Sequence, residues 1–383
     1  MPSVFRYFRK LRDPRRSGLT SHPLTDLIAI AVLAVICGAE GWDDMNEFGL
    51  AKQKWLCTFL ELPHGIASAD TFARVFARLE PSSFRACFVE WARSLVETTG
   101  GRLIAIDGKT ARRSFDRAAD RTALHTVRAW VRENRMVLGQ YATDAKSNEI
   151  TAIPALLDLL DIKGAVVTTD AMGTQKEIAG KILEKGADYV LALKANHANF
   201  YEEVVAHFEP FATIGMLLRP HTTDDRAQTG HGRIERRRVV TATDVERFKA
   251  GAEWPGLKSV TMVESERTVG DKTSLKRRYY ISSKKASART MGKLIRGHWS
   301  VENDCHWTLD VAFREDESRV RTGHAPDNLA QIRSIVLNML KRESTSKRGI
   351  RAKQKNAGWN HDYLLRVLLM GVAEDQPSAT IHK

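Results

Sequence analysis

The stretch GAVVTTDAMGTQKEIAGKILEKGADYVLALK, residues 164–194, decides the fold class of this chain. It starts with a short apolar run that ends on Asp170, and it finishes with a second apolar run, residues 187–194. The segment between them, residues 174–186, is predicted to be a helix that stops at Gly186. A strand, a helix and a strand in this order predict two buried strands of an α/β layered domain.

Upstream of this stretch, the sequence predicts three more strands and a short helix. RLIAID (102–107) is a short apolar strand, and residues 123–131 and 136–143 are β-rich segments separated by the polar turn RENR. Residues 154–160 are predicted to form a short helix. The resulting order, β-β-β-α-β-α-β, is typical of an α/β domain with a mixed sheet.

The flanking regions differ from this alternating core. Residues 23–98 are predicted to be wholly helical, with apolar residues at helical spacing in TFARVFARL (71–79). Residues 200–285 contain three strand-like pieces joined by polar turns, and helices are predicted from about 288 to 313 and from 326 to 342. A chain of 383 residues is long enough for two or three domains.

Composition and charge exclude several classes of protein. The four cysteines stand far apart without a CxxC pair, so we expect neither a zinc ribbon nor a disulfide framework, and a reducing cytoplasm fits best. The longest apolar run, residues 27–39, is too short to cross a bilayer and is predicted to be a buried helix. The formal net charge of +13 is concentrated in residues 1–20, 231–300 and 341–355. Separate basic segments are typical of a polyanion-binding protein, although a solvated surface gives the same composition.

Two acids stand at the ends of predicted strands. Asp107 follows LIAI, and Asp170 follows VVTT. Functional groups of open α/β sheets gather at the carboxyl ends of the strands, so the two carboxylates lie side by side if these strands are neighbours. A divalent cation would relieve their repulsion, and oxygen ligands favour Mg²⁺ or Mn²⁺. Taken singly, Asp107 could instead pair with Lys109, and Asp170 could cap the following helix.

A third oxygen ligand is expected on a helix that crosses the sheet, and Glu302 is the candidate. Residues spaced four apart in the predicted helix form one polar stripe: His298, Glu302, His306 and Asp310. A structural ion pair explains the same acid equally well. Zinc is a weaker alternative, because the spacing lacks the general-base arrangement of HExxH and the neighbouring acids are oxygen donors.

An ordered set of motifs is more specific than any single residue. The motifs are DPRR (13–16), ADTFARVFARLEP (69–81), IAIDGKTARRS (104–114), VVTTDAMGTQKEIA (166–179), LALKANH (191–197), HGRIERR (231–237) and RGHWSVENDCHWTLDVAFREDESRVR (296–321). In this order they resemble the DDE transposases of bacterial insertion sequences, in the ISAs-type branch with its relatives, the H-repeat-associated proteins. The likeness runs nearly from end to end, over about residues 5–345.

The resemblance implies a ribonuclease-H-like fold. Such a fold has a mixed sheet with helices on both faces, here with a β-rich insertion before the last catalytic helix and an all-helical N-terminal domain. The expected divisions are a helical region at 1–100 that binds DNA ends, a catalytic domain at 101–199 and 286–345, a basic β-rich insertion at 200–285, and a C-terminal tail or helix at 346–383.

By position, the resemblance implies a catalytic and metal-binding triad of Asp107, Asp170 and Glu302 that holds two Mg²⁺ or Mn²⁺ ions. The wider superfamily carries a Tyr-x₂-Arg-x₃-Glu-x₆-Lys signature around the last acid. Here His298 stands at the Arg position and Leu309 at the Lys position. The contact with DNA ends is therefore expected to pass to Arg296, His298 or Asn303.

The implied partners are double-stranded DNA, as terminal inverted repeats and as target, and a second copy of the chain in the synaptic complex. No membrane is expected, and the expected location is the bacterial cytoplasm, at the nucleoid when DNA is bound. The expected DNA contacts are Lys109, Arg112, Arg113, Lys194, His231, Arg233, Arg236, Arg237, Arg296, His298 and Asn303. Trp254, Tyr279 and Tyr280 either stack on bases or belong to the strand core.

Three functions fit this sequence. The three acids favour an active transposase that cleaves insertion-sequence ends and joins them to target DNA. A decayed or domesticated copy would bind DNA ends and aid recombination without cutting them. A general nuclease of the same fold would cut arbitrary duplex DNA.

Overall fold

In the computed structural model, residues 164–194 fold as the strand, helix and strand that their sequence predicts. Val166–Thr169 is a buried strand, Lys176–Glu184 is a helix, and Asp188–Leu193 is a second strand. Gly186 has a φ of 72°, a left-handed conformation that ends the helix. The two strands pair in parallel, as strands joined by a crossover helix do. The predicted α/β class is confirmed.

The structure describes residues 3–16, 18, 20–96, 101–143, 149–214, 220–230 and 232–371. The strands are β1 (Leu103–Thr110), β2 (His125–Val131), β3 (Met136–Thr143), β4 (Val166–Thr169), β5 (Asp188–Leu193), β6 (His221–Gly230), β7 (Arg233–Ala242), β8 (Ser259–Val269) and β9 (Lys272–Ser282). The α-helices are α1 (Leu24–Ile36), α2 (Trp42–Leu56), α3 (Ala69–Arg78), α4 (Pro81–Ser94), α5 (Glu149–Leu159), α6 (Lys176–Glu184), α7 (Ala198–Ile214), α8 (Ala288–His298), α9 (Trp307–Phe313), α10 (Ala325–Arg342), α11 (Ile350–Trp359) and α12 (His361–Leu369).

The strands form a nine-stranded mixed sheet in the order β3-β2-β1-β4-β5-β9-β8-β7-β6. Strands β1, β4 and β5 run parallel to one another. Strand β9 pairs antiparallel with β5, and β8, β7 and β6 continue as an antiparallel meander. Because β1 lies next to β4, the strands that carry Asp107 and Asp170 are neighbours, as the sequence analysis requires.

The chain groups into two compact units. The first comprises Met1–Thr98, Gly108–Asn148 and Glu302–Lys383, and the second comprises Thr99–Asp107 and Glu149–Val301. Strand β1 contributes residues to both units. The division into four regions that the resemblance implies stays a prediction.

The first unit is built around the buried helix α1. All of its residues except Thr25 are buried, which confirms the buried helix predicted from the apolar run. Helix α10 is buried along most of its length, and its polar side chains are hydrogen-bonded: Asn338 bonds both the backbone N–H and the carbonyl of Val137 at 2.8 Å.

In the described part of the chain, none of the helices is both long and apolar enough to span a bilayer.

The second unit has a core between helix α8 and the sheet. Gly292 allows α8 to approach β7 closely, since a Cβ atom at this position would stand 3.1 Å from a methyl carbon of Val239. Ser287 caps the helix by accepting a hydrogen bond from the N–H of Thr290. The buried core residues are Leu103, Val166, Val190, Val239, Val263, Ala288, Met291 and Ile295.

The single helix predicted from about 288 to 313 is interrupted in the structure. Helix α8 ends at His298, residues Val301–His306 form a π-helical turn, and α9 begins at Trp307. A π-helical turn contains an extra residue, so a four-residue spacing does not keep side chains on one face of it. The continuous polar stripe predicted along this segment is therefore wrong.

Two of the aromatic residues considered for base stacking belong to the core instead. Trp254 is 4% exposed, and its ring centroid lies 5.0 Å from that of His197. Tyr279 is 6% exposed and packs edge-on against Tyr201, with ring centroids 5.5 Å apart. Since a buried ring offers no face to a base, the base-stacking interpretation is wrong for both residues.

We predict that Gly323→Ala destabilises the protein by about 3 kcal/mol or more. Gly323 has a φ of 54°, and a Cβ atom there would stand 2.3 Å from the carbonyl oxygen of Ala77, so the backbone must shift. Gly270→Ala is the matched control, since Gly270 has a φ of 56° but has nothing within 4 Å of an added Cβ. It should cost about 1 kcal/mol. Urea denaturation followed by circular dichroism measures both changes, and equal losses would contradict this packing.

Candidate functional site

Strand register brings Asp107 and Asp170 together. The parallel pairing of β1 and β4 ends with Ile106 opposite Thr169, and the two aspartates are the next residues on their strands. Both acids are half-buried. One detail differs from the sequence analysis: β1 continues to Thr110, so Asp107 lies inside the strand and not at its end.

Glu149 is a third acid of this group. Single carboxylate oxygens of Asp107, Glu149 and Asp170 all lie within 4.8 Å of one another. Glu149 is the first residue of α5 and is half-buried. Sequence reasoning missed it, because the helix is predicted only for residues 154–160, whereas α5 begins at Glu149. No spacing signal in the sequence links it to Asp107 or Asp170.

The surroundings of Asp170 make its negative charge costly. Burial is the main cause that raises the pKa of its carboxyl group, and the nearby charge of Glu149 raises it further. The N–H groups of Met172 and Gly173 donate hydrogen bonds to its Oδ1 at 2.9 and 3.2 Å, and the Lys194 charge also opposes the rise. These contacts replace the predicted helix cap, because the N-cap of α6 is Gln175.

The donor set fits a hard divalent cation. All three groups are carboxylates, and neither histidine nor cysteine belongs to the set. Oxygen ligands are those that Mg²⁺ and Mn²⁺ prefer, whereas zinc favours nitrogen and sulfur. A cation between the three groups would also relieve the repulsion that acts on Asp170.

Glu302 is the second residue of the π-helical turn Val301–His306 and is exposed. π-Helical turns are frequent at functional sites, because the extra residue re-aims side chains locally. The part of Glu302 in the triad stays a prediction.

Comparison with known proteins shows the family of this chain. The family model described as "Transposase DDE domain" matches residues 98–339, and the model described as "DDE_Tnp_1-associated" matches residues 5–92. The chain belongs to the DDE transposases. This DDE transposase is 39% identical over 370 residues to "Putative transposase YncI" of Escherichia coli O157:H7, an alignment that covers 96% of the chain and 94% of the relative. It is 38% identical over 362 residues to "H repeat-associated putative transposase YhhI" of Escherichia coli strain K12, with 93% and 95% covered.

Membership of this family accounts for both the fold and the acidic group. The mixed sheet with helices on both faces is the ribonuclease-H-like fold that the resemblance implies, and β6–β9 come before α8 in the chain as the implied insertion. The DDE transposases are nucleic-acid-processing proteins that bind DNA and use divalent metals, and the acidic group offers oxygen ligands for such a metal.

Lys109 is engaged with acids of its own unit. Its Nζ lies 2.6 Å from carboxylate oxygens of both Asp310 and Asp316, and its side chain is 8% exposed. Arg112 also contacts Asp316, at 3.2 Å, although most of its side chain is exposed. A buried ammonium held between two carboxylates is not available to a phosphate, so Lys109 is not among the DNA contacts proposed below.

His298 is a packing residue of the second unit and carries no charge near neutral pH. Its Nδ1 lies 3.0 Å from the hydroxyl of Thr168, two residues before Asp170 on β4. Burial lowers the pKa of His298 to about 4. It does not offer DNA the charge of the arginine whose position it occupies.

Some of the other predicted DNA contacts already form ion pairs with acids of the protein, and others are exposed. Arg233 pairs with Glu235 at 2.9 Å, and Arg236 pairs with Asp225 at 2.7 Å. The exposed residues among the rest are Arg113, Lys194, Arg296 and Asn303. Arg237 is half-buried, and His231 lies outside the described residues.

We predict that Asp170→Asn raises the thermal unfolding temperature of the metal-free protein at pH 7. The folded-state pKa of Asp170 is raised, so its ionised form weakens the fold above the ordinary aspartate pKa of about 4, and this penalty fades as the pH falls below that value. Asparagine keeps an oxygen to accept the hydrogen bonds from Met172 and Gly173. The advantage of the variant should therefore vanish near pH 3.

Added Mg²⁺ should reverse the order of stability. A ligand at 100 times its dissociation constant stabilises a fold by about 2.7 kcal/mol, and the variant lacks one of the proposed oxygen ligands. Glu184→Gln, which removes an exposed acid of α6, is the control and should respond to Mg²⁺ like the wild type. Equal stabilisation of wild type and Asp170→Asn by Mg²⁺ would remove Asp170 from the metal site.

Proposed function

We propose that this DDE transposase is an active enzyme that cleaves DNA at insertion-sequence ends and joins the freed ends to target DNA. The observation that supports this proposal best is the approach of Asp107, Glu149 and Asp170 to within 4.8 Å of one another. Three carboxylates this close together, two of them from neighbouring parallel strands, are suited to metal-assisted chemistry.

Asp107 and Asp170 would hold the metal, together with Glu302, which the family resemblance supports, and Glu149, which its proximity to the aspartates supports. Two Mg²⁺ or Mn²⁺ ions would activate the attacking oxygen and stabilise the leaving oxygen of an in-line displacement. The N–H groups of Met172 and Gly173 orient the Asp170 carboxylate for this task.

Two displacement steps make up the proposed reaction. In the first step, a water oxygen bonds to the phosphorus at the end of the element, the bond from phosphorus to the 3′ oxygen breaks, and that oxygen takes up a proton. In the second step, the oxygen of the new 3′-hydroxyl gives up its proton and bonds to a phosphorus of the target strand, the bond from that phosphorus to the target's own 3′ oxygen breaks, and the departing oxygen takes up a proton. Each step exchanges one phosphorus–oxygen bond for another, so neither needs an oxidant or a nucleotide cofactor.

The residues that would contact the DNA lie near the acids and on the basic strands. Lys194 follows β5, and its charge already acts on Asp170, so it is well placed to meet a phosphate at the reacting edge. Arg113, Arg296 and Asn303 are exposed and available for phosphate contacts. We also propose that the helical region 1–100 and the basic insertion 200–285 bind the terminal repeats, and that a dimer brings two ends together.

We predict that Asp107→Ala, Asp170→Ala and Glu302→Gln each lower the rates of end cleavage and strand transfer by more than about a hundredfold. Mutation of residues that only support a metal ligand already lowers activity by about ten- to a hundredfold, so loss of a ligand itself should lower it further. The substrate is duplex DNA carrying the sequences that flank the gene, incubated with Mg²⁺. Glu149→Gln belongs to the same series. Glu184→Gln serves as the control because it removes one exposed acid outside the group.

DNA binding measured in EDTA should survive in all of these variants. Retained cleavage in Glu302→Gln together with lost cleavage in Glu149→Gln would identify Glu149 as the third acid. A wild-type chain that binds the ends but never cuts them with Mg²⁺ or Mn²⁺ would instead be a DNA-binding relative. Cleavage of arbitrary duplex without preference for the ends would point to a general nuclease.

A further inference from the structure

A small pocket of the second unit lies where helix α8 covers the sheet strands β7, β8 and β9. Its apolar floor includes Val239 and Val263, which belong to the core beneath α8. Side chains alternate between the two faces of a strand, so Arg237 shares the face of Val239. Arg278 shares it as well, because it stands opposite Val263 in the register of β8 and β9. The basic residues therefore continue the face of the sheet on which α8 packs.

Three arginines converge on this pocket: Arg237, Arg278 and Arg296. Burial lowers the pKa of the Arg237 guanidinium, and the charges of Arg296 and Arg278 lower it further. Within the described ranges, none of the three forms an ion pair with an acid. Glu235, whose charge does act on Arg237, is paired with Arg233 at 2.9 Å.

The opposite face of the same strands shows the usual arrangement of arginines. The buried Glu264 lies 2.8 Å from Arg238 and 2.9 Å from Arg277. Next to it in the sheet, Arg236 pairs with Asp225 at 2.7 Å. On this face the arginines are thus paired with acids. On the face towards α8, Glu235 is the acid of β7 and is paired with Arg233, which leaves Arg237 and Arg278 without an acid partner among the described residues.

We propose that this pocket binds a phosphate group of the DNA backbone, with Arg237 as its central contact and Arg278 and Arg296 on either side. The inference rests on the proposed function in one respect, namely that DNA is the natural source of the phosphate. An anion at this position relieves the repulsion among three guanidinium groups, and guanidinium pairs with phosphate through two parallel hydrogen bonds.

The size and lining of the pocket fit one phosphate oxygen. Its volume is about 30 Å³, enough for an oxygen-sized group, so the rest of the phosphate would remain at the mouth. The Ser265 hydroxyl offers a further donor in the lining. Trp299, which is 40% exposed, forms a wall and holds the Arg278 guanidinium 5.7 Å from its ring centroid.

The test compares DNA binding by the full-length chain and its glutamine variants. Arg237→Gln, Arg278→Gln and Arg296→Gln are measured by fluorescence anisotropy with a labelled duplex, in EDTA so that no cleavage occurs, over about 50 to 300 mM salt. Each should bind about tenfold more weakly and lose about one unit of the slope of log affinity against log salt. Lys181→Gln, on α6 of the same unit, is the control and should change neither, since Asp158 already holds its charge at 2.6 Å and the residue is not among the proposed DNA contacts.

Thermal unfolding supplies an independent measurement. Arg237→Gln should keep the wild-type unfolding temperature or exceed it, because the change removes a crowded charge. Inorganic phosphate should stabilise the wild type more than this variant. A clear loss of stability in Arg237→Gln would mean that the arginine is part of the packing, and this would overturn the proposal.

The remaining outcomes separate the sources of the phosphate. Equal DNA affinity and equal salt slopes in Arg237→Gln and Lys181→Gln would overturn the proposal, and stabilisation by inorganic phosphate in that case would identify the pocket as a site for free phosphate. Whether the wild type cleaves DNA does not affect the binding measurement, which is made in EDTA. A chain that binds DNA through Arg237 but never cuts it would refute the proposed function and keep the phosphate site.

Discussion

Parallel pairing between β1 and β4 is the constraint on which the site depends. The ladder of backbone hydrogen bonds ends at Ile106 and Thr169, and it holds the next two residues, both aspartates, next to each other although their charges repel. Glu149 at the start of α5 adds a third acid, and burial together with the charge of Glu149 raises the pKa of Asp170. The sheet therefore holds two of the three carboxylates close together, and a cation between the three would relieve the repulsion that acts on Asp170.

The use of positive charge follows a second pattern. Some basic side chains form ion pairs with acids of the protein itself. Arg128 and Glu315 form such a pair at 2.7 Å with both side chains almost fully buried, and Lys109 lies between two carboxylates. Others, such as Arg237 and Arg296, crowd together without an acid partner among the described residues. A net charge cannot separate these two groups, because only spatial proximity tells which charges are already neutralised.

The segment around the last predicted acid shows how this branch differs from the superfamily signature. His298, at the place of the signature arginine, is neutral and bonds Thr168 on β4, so it joins α8 to the strand that carries Asp170. The positive charges on the α8 side come instead from Arg296 on the helix and from strands β7 and β9. The proposed phosphate pocket therefore draws its positive charges from these residues and not from the signature position.

The sequence by itself determined the α/β class, the family, and the pair Asp107 and Asp170, because apolar strand runs and ordered motifs are local properties of the chain. It did not reveal Glu149, the interruption of the helix after His298, or the burial of Trp254 and Tyr279. Each of these depends on packing between segments that are distant in sequence, and amino-acid spacing carries no record of such packing. Only the tertiary structure decided which acids gather and which arginines, among the described residues, have no acid partner.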